Sequence, residues 1–329
     1  MNIKLDIPEK FFEGEERSGY YVSPLMKKVW AVQLDLLAEF SRVCEKHNLK
    51  WWMEAGTLLG AVRHRGFIPW DDDSDVIMMR KDFDRLLEIA ESEFKKPYFL
   101  RSWRSGENIP LARFINEDTT LLPYDSLITL RDEKKVSGYR CICLDVCPLD
   151  NLPDDERETK SLYTQMHSLA RPRSVKIYDK IVRWTYYYRP SLSLWKRPIT
   201  AALHYALSLV KPFIGGIKEK LRQKEEKQSK KFTDAFASLN YPDGRRIAKL
   251  VCANDSAFMS RRIWERSWFD ETVYLPFEML TLPAPLGYEK VLDTFYGNWH
   301  EYAIRYPHGA FYDPERPYTY YTQEGHMPE

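Results

Sequence analysis

Apolar residues recur at helical spacing from Pro24 to about His47, where Leu25, Val29, Val32, Leu36, Leu37, Phe40 and Val43 form one stripe. Pro24 suits a first helical turn, so the pattern predicts an amphipathic packing helix. Lys50 to Glu54 reads as a short aromatic-rich strand stopped by Gly56, and Gly56 to His64 as a short helix. Gly66 to Trp70 is a loop, with Pro69 biasing Ile68 toward an extended backbone. Val76-Ile77-Met78-Met79 has the length and composition of a buried strand, and Arg80 to Phe94 returns to helical spacing with Phe83, Leu86, Leu87 and Ile89 on one side. Tyr98 to Trp103, Leu111 to Ile115 and Thr119 to Leu122 read as short strands. Arg140 to Val146 is the next strand, ended by Pro148, and Asp154 to about Ala170 is a helix with an acidic start. Alternating helices and strands indicate an α/β or α+β core.

The last third is less regular. Strands are expected near Ile247 to Cys252 and Glu271 to Leu275, then a helix over Tyr288 to Tyr296 closed by Gly297. The tail from Asn298 is aromatic and Pro-rich without periodicity. These elements divide the chain into an irregular arm (1–23), a core (24–170), a basic segment (171–231) and a C-terminal part that completes the core (232–329).

A chain of 329 residues, 44% hydrophobic and 29% charged, has the composition of a globular protein. Its formal charge of +1 hides an asymmetry: residues 171–231 carry 16 Lys/Arg against 4 Asp/Glu, interleaved with Trp184, Tyr186, Tyr187, Tyr188 and Trp195. Such a segment is either a solvated helical insertion or a surface for an anionic membrane, with aromatics at headgroup level. No nucleic-acid motif accompanies it, so nucleic acid is not expected as a partner. The apolar run Ile199 to Val210 is too short to span a bilayer. MNIKLDIPEKFFEGEE has no apolar signal core, which favours a cytoplasmic setting with reduced thiols. Cys141-x-Cys143-x3-Cys147 lacks the CxxC hook of a zinc site and reads as small buried strand residues.

Chemistry concentrates between Trp51 and Arg80. Asp71, Asp73 and Asp75 stand at i, i+2 and i+4 ahead of an apolar strand. If the extended backbone reaches back through them, alternation puts the three carboxylates on one face and turns Asp72 the other way. Neighbouring carboxylates repel unless a cation holds them, and a hard divalent ion such as Mg²⁺ takes oxygen ligands while leaving positions for substrate phosphates. An acidic surface turn is the plain alternative. Free N–H groups at the start of the Gly56 helix would bind a phosphate, with Thr57 adding a hydroxyl. Downstream, Cys141, Cys143 and Asp145 share one strand face. Asp145 either caps the following turn or, if its strand lies beside the aspartate strand, completes the carboxylate set. Asp150 reads as turn chemistry.

GTLLGAVRHRGFIPWDDDSD (Gly56 to Asp75), CLDVCPLDNLP and LPAPLGYEKVLDTFYGNWH, with its Tyr296-Gly297 pair, resemble three blocks of the LicD family, which includes fukutin-like proteins, within the nucleotidyltransferase-fold superfamily. Ser74 departs from the apolar residue usual there. The resemblance implies an α+β fold, a nucleotidyltransferase-like mixed sheet flanked by helices, here with a helical basic insertion. It implies transfer of phosphocholine from CDP-choline to a sugar hydroxyl of a surface-glycan precursor of lipopolysaccharide, teichoic acid or capsule type. A lipid-linked acceptor at the inner membrane face would suit residues 171–231. Carried over, Gly56 and Thr57 contact donor phosphate, while Asp73 and Asp75, assisted by Asp71, hold Mg²⁺ or Mn²⁺. Asp145 completes the metal site and orients or deprotonates the acceptor hydroxyl, making Asp73, Asp75 and Asp145 the catalytic set. Arg63, His64 and Arg65 either neutralise the departing CMP or pair as helix-end cations with the aspartates, with Arg80 and Arg113 as weaker candidates. Trp51, Trp52, Trp70 and Trp103 offer aromatic faces to a choline ammonium. Ribitol, glycerol or ethanolamine phosphate are alternative cargoes, and a non-catalytic membrane adaptor on the same fold is the alternative of another class.

Overall fold

The Ser23 hydroxyl accepts a hydrogen bond from Met26 N (3.2 Å) and Pro24 occupies the first turn of helix α1 (Pro24–Lys46). The stripe read from the sequence is the buried one: Val29, Val32, Leu36, Leu37, Phe40 and Val43 are all fully enclosed, while Leu25 at its start is exposed. Each buried side chain of this size contributes about 1.5–3 kcal/mol, so packing rather than propensity holds α1. The computed structural model describes residues 1–107, 109–123, 141–170, 223, 227–239, 244–252, 260–301 and 310–317.

Ahead of α1 the arm is not irregular. It contains a hairpin, β1 (Glu15–Arg17) and β2 (Tyr20–Val22), whose turn puts Ser18 and Gly19 at φ 55° and 74°, as a two-residue hairpin turn requires. Strands of three residues are too short to show alternation. The arm is fixed to the core by Lys4 and Leu5 N–H donating to Asp35 Oδ1 (2.7 and 2.8 Å) and by Arg17 Nη1 to Glu278 Oε1 (2.5 Å).

After α1 come β3 (Trp52–Met53), α2 (Ala55–His64), β4 (Asp75–Met79), α3 (Arg80–Glu93), β5 (Tyr98–Arg101), β6 (Ala112–Asn116), β7 (Thr120–Pro123), β8 (Cys143–Asn151) and α4 (Glu156–Ala170). A helical stretch α5 (227–237) precedes β9 (Arg246–Ala248), β10 (Ile263–Glu265), the hairpin β11 (Thr272–Phe277) and β12 (Leu280–Pro285), α6 (Tyr288–Tyr296) and β13 (Ala310–Asp313). The architecture is α+β, a mixed sheet flanked by six helices among the described residues. In the sheet β4 and β8 run parallel in the register Asp75↔Asp145 to Met79↔Leu149, with β3 antiparallel beyond β4, and β6 and then β5 antiparallel beyond β8. The last residues of β8 pair with β9, and β9 with β10.

Register decides the faces. Val76, Val146 and Ala112 stand in one row on the side of Phe114, whose ring meets Phe40 of α1 (6.1 Å) and Phe94 after α3 (4.3 Å). The opposite side carries Asp75 and Ile77 of β4 and Asp145 and Cys147 of β8. Trp52, paired with Ile77, donates its Nε1–H to Thr272 Oγ1 (3.0 Å) and packs edge-on to Phe269 (5.3 Å), so C-terminal elements cover part of this second side.

The structure corrects several boundaries. Pro148 does not end its strand but lies inside β8, opposite Met78. Asp145 N–H donates to Ser74 O, so odd residues of β8 donate toward β4 and the missing N–H of Pro148 points the other way, into the gap after the last β6 pair (Val146) and before the first β9 pair (Asp150). Asp150 is not turn chemistry: it is buried in β8, with Arg80 Nε and Nη2 at 2.7 and 2.6 Å from Oδ1. The strand expected near Ile247 to Cys252 stops at Ala248 and gives way to a 3-10 turn over Leu250–Cys252. The aperiodic tail contains β13, which pairs with β7. Cys141, Cys143 and Cys147 are buried thiols outside any disulfide among the described residues. Nearly all of the basic segment (171–222 and 224–226), the strand start at Arg140 and tail residues 302–309 and 318–329 lie outside the described residues. Among the described residues no helix is long and apolar enough to cross a membrane.

Candidate active site

One row of charged residues crosses four strands on the C-terminally covered side. Glu54 N–H donates to Asp75 O (3.0 Å), extending the β3–β4 register by one pair; Asp75 is paired with Asp145, and Asp145 with Arg113. Residues paired across neighbouring strands present their side chains to the same face, so Glu54, Asp75, Asp145 and Arg113 stand side by side at about 5 Å spacing. The sequence left two readings for Asp145, and the sheet places it next to Asp75. Arg113 Nε meets Asp145 Oδ1 at 3.2 Å, while Lys249 Nζ donates to Glu54 Oε2 and Arg262 Nε lies 3.8 Å from Glu54 Oε1. The ends of the row are thus compensated by cations. Its middle is not: burial pushes the Asp75 carboxyl well up, Lys249 opposes this, and the charges of Asp73, Glu54 and Asp145 push it further.

The strand begins at Asp75, so regular alternation does not reach back through Asp71 to Asp73. Carboxylate oxygens of Asp71, Asp72 and Asp73 instead lie within 4.8 Å of one another, and among the described residues this is the group of three able to hold a cation. Asp72 is therefore not turned away from the cluster as alternation predicts. It is buried, and Tyr312 Oη donates to its Oδ2. Asp71 sits against the first turn of α2: a Cβ added to Gly56 would lie 2.2 Å from Asp71 Oδ2. Glycine here admits a carboxylate to the positive end of the helix. Ala55, just before it, is at φ 48°, a left-handed backbone that costs about 1–2 kcal/mol for a residue with a Cβ. Thr57 is buried, and its Oγ1 accepts Asp75 N–H at 2.9 Å, which ties α2 to the start of β4.

Arg63, His64 and Arg65 lie at the opposite end of α2, about 12 Å along the axis from Gly56. Arg63 Nη1 reaches the carbonyls of Trp299 and Glu301 (both 3.3 Å), and Arg65 adopts φ 56° as the helix ends. Burial and the charges of Arg63 and Arg17 bring His64 down to about 4, which favours its neutral form at neutral pH. The loop after α2 folds back along the helix, with Gly66 O so close to Gly60 that a Cβ there would meet it at 2.4 Å. Trp70 is buried, edge-on to His64 (6.3 Å) and Tyr20 (6.0 Å). Trp51 and Trp52 are core residues, and Trp103 packs on Phe83 and Phe236. Arg80 belongs to the buried pair with Asp150.

Glu54, Lys249 and Arg262 carry no motif and escape the sequence reading. A lysine inside Ile247-Ala248-Lys249-Leu250 was the available signal for Lys249; Arg262 had none. Burial, then the charges of Asp71, Glu54 and Asp75, push the Tyr296 phenol upward, so it stays neutral.

A mixed sheet with a carboxylate row, beside a helix N-terminus and three converging aspartates, is the arrangement of a domain able to hold a hard cation next to a phosphate. Residues 48–116 match the family described as LicD/FKTN/FKRP, nucleotidyltransferase domain, a span from just before β3 to β6 that includes Asp71, Asp73, Asp75 and Arg113. The chain is 24% identical over 268 residues to the lipopolysaccharide cholinephosphotransferase LicD of Haemophilus influenzae, covering 82% of this chain and 88% of that protein. It is 40% identical over 74 residues to an uncharacterized protein of Rickettsia prowazekii, which is 22% of this chain and 27% of that one. Over 51 residues it is 37% identical to the human ribitol 5-phosphate transferase FKRP, 16% of this chain and 10% of that protein. The family match is thus confined to residues 48–116, while the similarity to the Haemophilus protein extends over most of the chain.

Proposed function

We propose that this protein transfers phosphocholine from CDP-choline to a sugar hydroxyl of a surface-glycan precursor of lipopolysaccharide, teichoic acid or capsule type, with Mg²⁺ or Mn²⁺ as cofactor. The observation that carries this reading is the placement of Asp71, Asp72 and Asp73 beside the α2 N-terminus, next to the in-register pair Asp75 and Asp145. An all-carboxylate donor set suits a hard cation. Asp71, Asp73 and Asp75, with Asp145, would hold it, and when bound it supplies charge neutralisation on the pyrophosphate.

The chain's own groups do the rest. N–H groups at Gly56 and Thr57 receive a donor phosphate. Asp145, braced by Arg113, takes the proton of the acceptor hydroxyl as that oxygen bonds to the choline-bearing phosphorus. The bond from this phosphorus to the bridging oxygen breaks, and CMP leaves with that oxygen. Phosphocholine is favoured over ribitol phosphate because the relative covered for 88% of its length is a cholinephosphotransferase, whereas the ribitol enzyme is matched over only 10%. A lipid-carried acceptor at a membrane face would engage residues 171–231.

Thermal shift of the protein with Mg²⁺ and CDP-choline, CDP-ribitol, CDP-glycerol or CDP-ethanolamine tests the donor, since a ligand bound at 100 times its Kd stabilises by about 2.7 kcal/mol. CDP-choline is expected to give the largest shift and CMP release when an acceptor is added. A larger shift with CDP-ribitol reassigns the cargo, and no shift with any donor replaces catalysis by the adaptor reading.

A further inference from the structure

We propose that Gln33 and Tyr312 are positioning residues that hold the Asp71–Asp73 run in its cation-binding shape. This rests on the metal reading above. Asp71 to Asp73 precede β4, so no sheet ladder orders them, and their carboxylates repel at the spacing observed. Left to itself such a run would spread. Side chains from two other elements prevent it. On α1, Trp30 Nε1–H donates to Asp71 O (3.0 Å), Gln33 Nε2–H donates to Asp72 O (2.7 Å), and Gln33 Oε1 accepts Ser74 Oγ–H (3.2 Å). From the other side, Tyr312 of β13 donates to Asp72 Oδ2.

Gln33 is 1% exposed on a helix whose buried positions are otherwise mostly apolar, a costly place for an amide unless both its ends are used. Both ends go to the aspartate run. Tyr312 is in turn fixed by the β13–β7 pairing and by Lys28 Nζ on Glu315 Oε1 (2.5 Å). Ser74 gains a role here, since its hydroxyl gives the Gln33 carbonyl a partner. Groups that orient the ligands of a metal typically change its affinity 10–100-fold when removed.

The test is Mn²⁺ binding to the full chain without substrates, read from the free-Mn²⁺ EPR signal, in wild type, Tyr312→Phe and Gln33→Met. Tyr312→Phe keeps the ring and removes only the donor, so it decides the question if Gln33→Met fails to fold. The expected result is a Kd weaker by about tenfold or more in each folded variant. A Kd within twofold of wild type, or tighter, with only the melting temperature lowered makes both residues ordinary packing contacts and overturns the proposal. Wild-type protein that binds no Mn²⁺ at all overturns the metal reading together with it.

Discussion

Two charged pairs stand five residues apart where β4 runs beside β8 and into α3, and the pairs are opposites. At the start of the parallel ladder Asp75 faces Asp145, two carboxylates abreast with Glu54 beyond. Just past its end, the same register offset brings Arg80 against Asp150, a buried carboxylate with a guanidinium at 2.6 Å. One backbone thus supports an electrostatically frustrated site and an ion-paired one. Burying charge costs several kcal/mol unless it is paired, so the ion-paired end can serve stability alone, whereas the Asp75 end costs stability unless a cation joins it.

The largest consequence is a separation of activity from stability. Asp73→Asn and Asp75→Asn are expected to lower CMP release by about 10³-fold, roughly 4 kcal/mol of transition-state stabilisation. In EDTA, Asp75→Asn should melt at or a few degrees above wild type, because it removes a repulsive charge. Loss of stability in parallel with loss of activity would make the Asp75 end structural and erase the contrast.

The reciprocal change acts at the other end. Arg80→Met should destabilise by about 3 kcal/mol, read by urea unfolding, since it strands a buried carboxylate. The cost sits at the low end of the range because Asp150 can take up a proton. CMP release per folded molecule should be unchanged, and a kinetic defect instead would return Arg80 to the substrate-binding candidates.

What the sequence disclosed follows the same division. The helix over Pro24–Lys46, the strand after the aspartates and the helix closed by Gly297 were legible because local periodicity and caps specify them. Asp145 could be placed beside Asp75 only conditionally, because strand order is a tertiary property. Glu54, Lys249, Arg262, Gln33 and Tyr312 were not legible. Each is polar in a segment that reads as core or tail, and its partner lies 39 to 240 residues away in the chain. Pro148 misled because a proline reads as a strand end unless the gap beside it is known.

The smallest effect is a pH dependence that tests how complete the compensation at Asp150 is. Burial, partly offset by Arg80, raises Asp150 from its ordinary 3.8 to about 6. Between those values the folded protein binds a proton that the unfolded chain has released, so this residue's contribution to stability is fully present below about pH 4. It is lost as pH rises through 6. The loss should amount to roughly 1–3 kcal/mol. Subtracting the urea-unfolding free energies of Asp150→Asn from those of wild type between pH 4.5 and 7 isolates it, because His64 and the other titrating groups are common to both proteins. A difference curve that falls with pH shows that burial outweighs the guanidinium even at the ion-paired end. A flat curve would mean that Arg80 compensates Asp150 completely, and Asp75 would then stand alone as the carboxylate of this ladder left for a bound cation to neutralise.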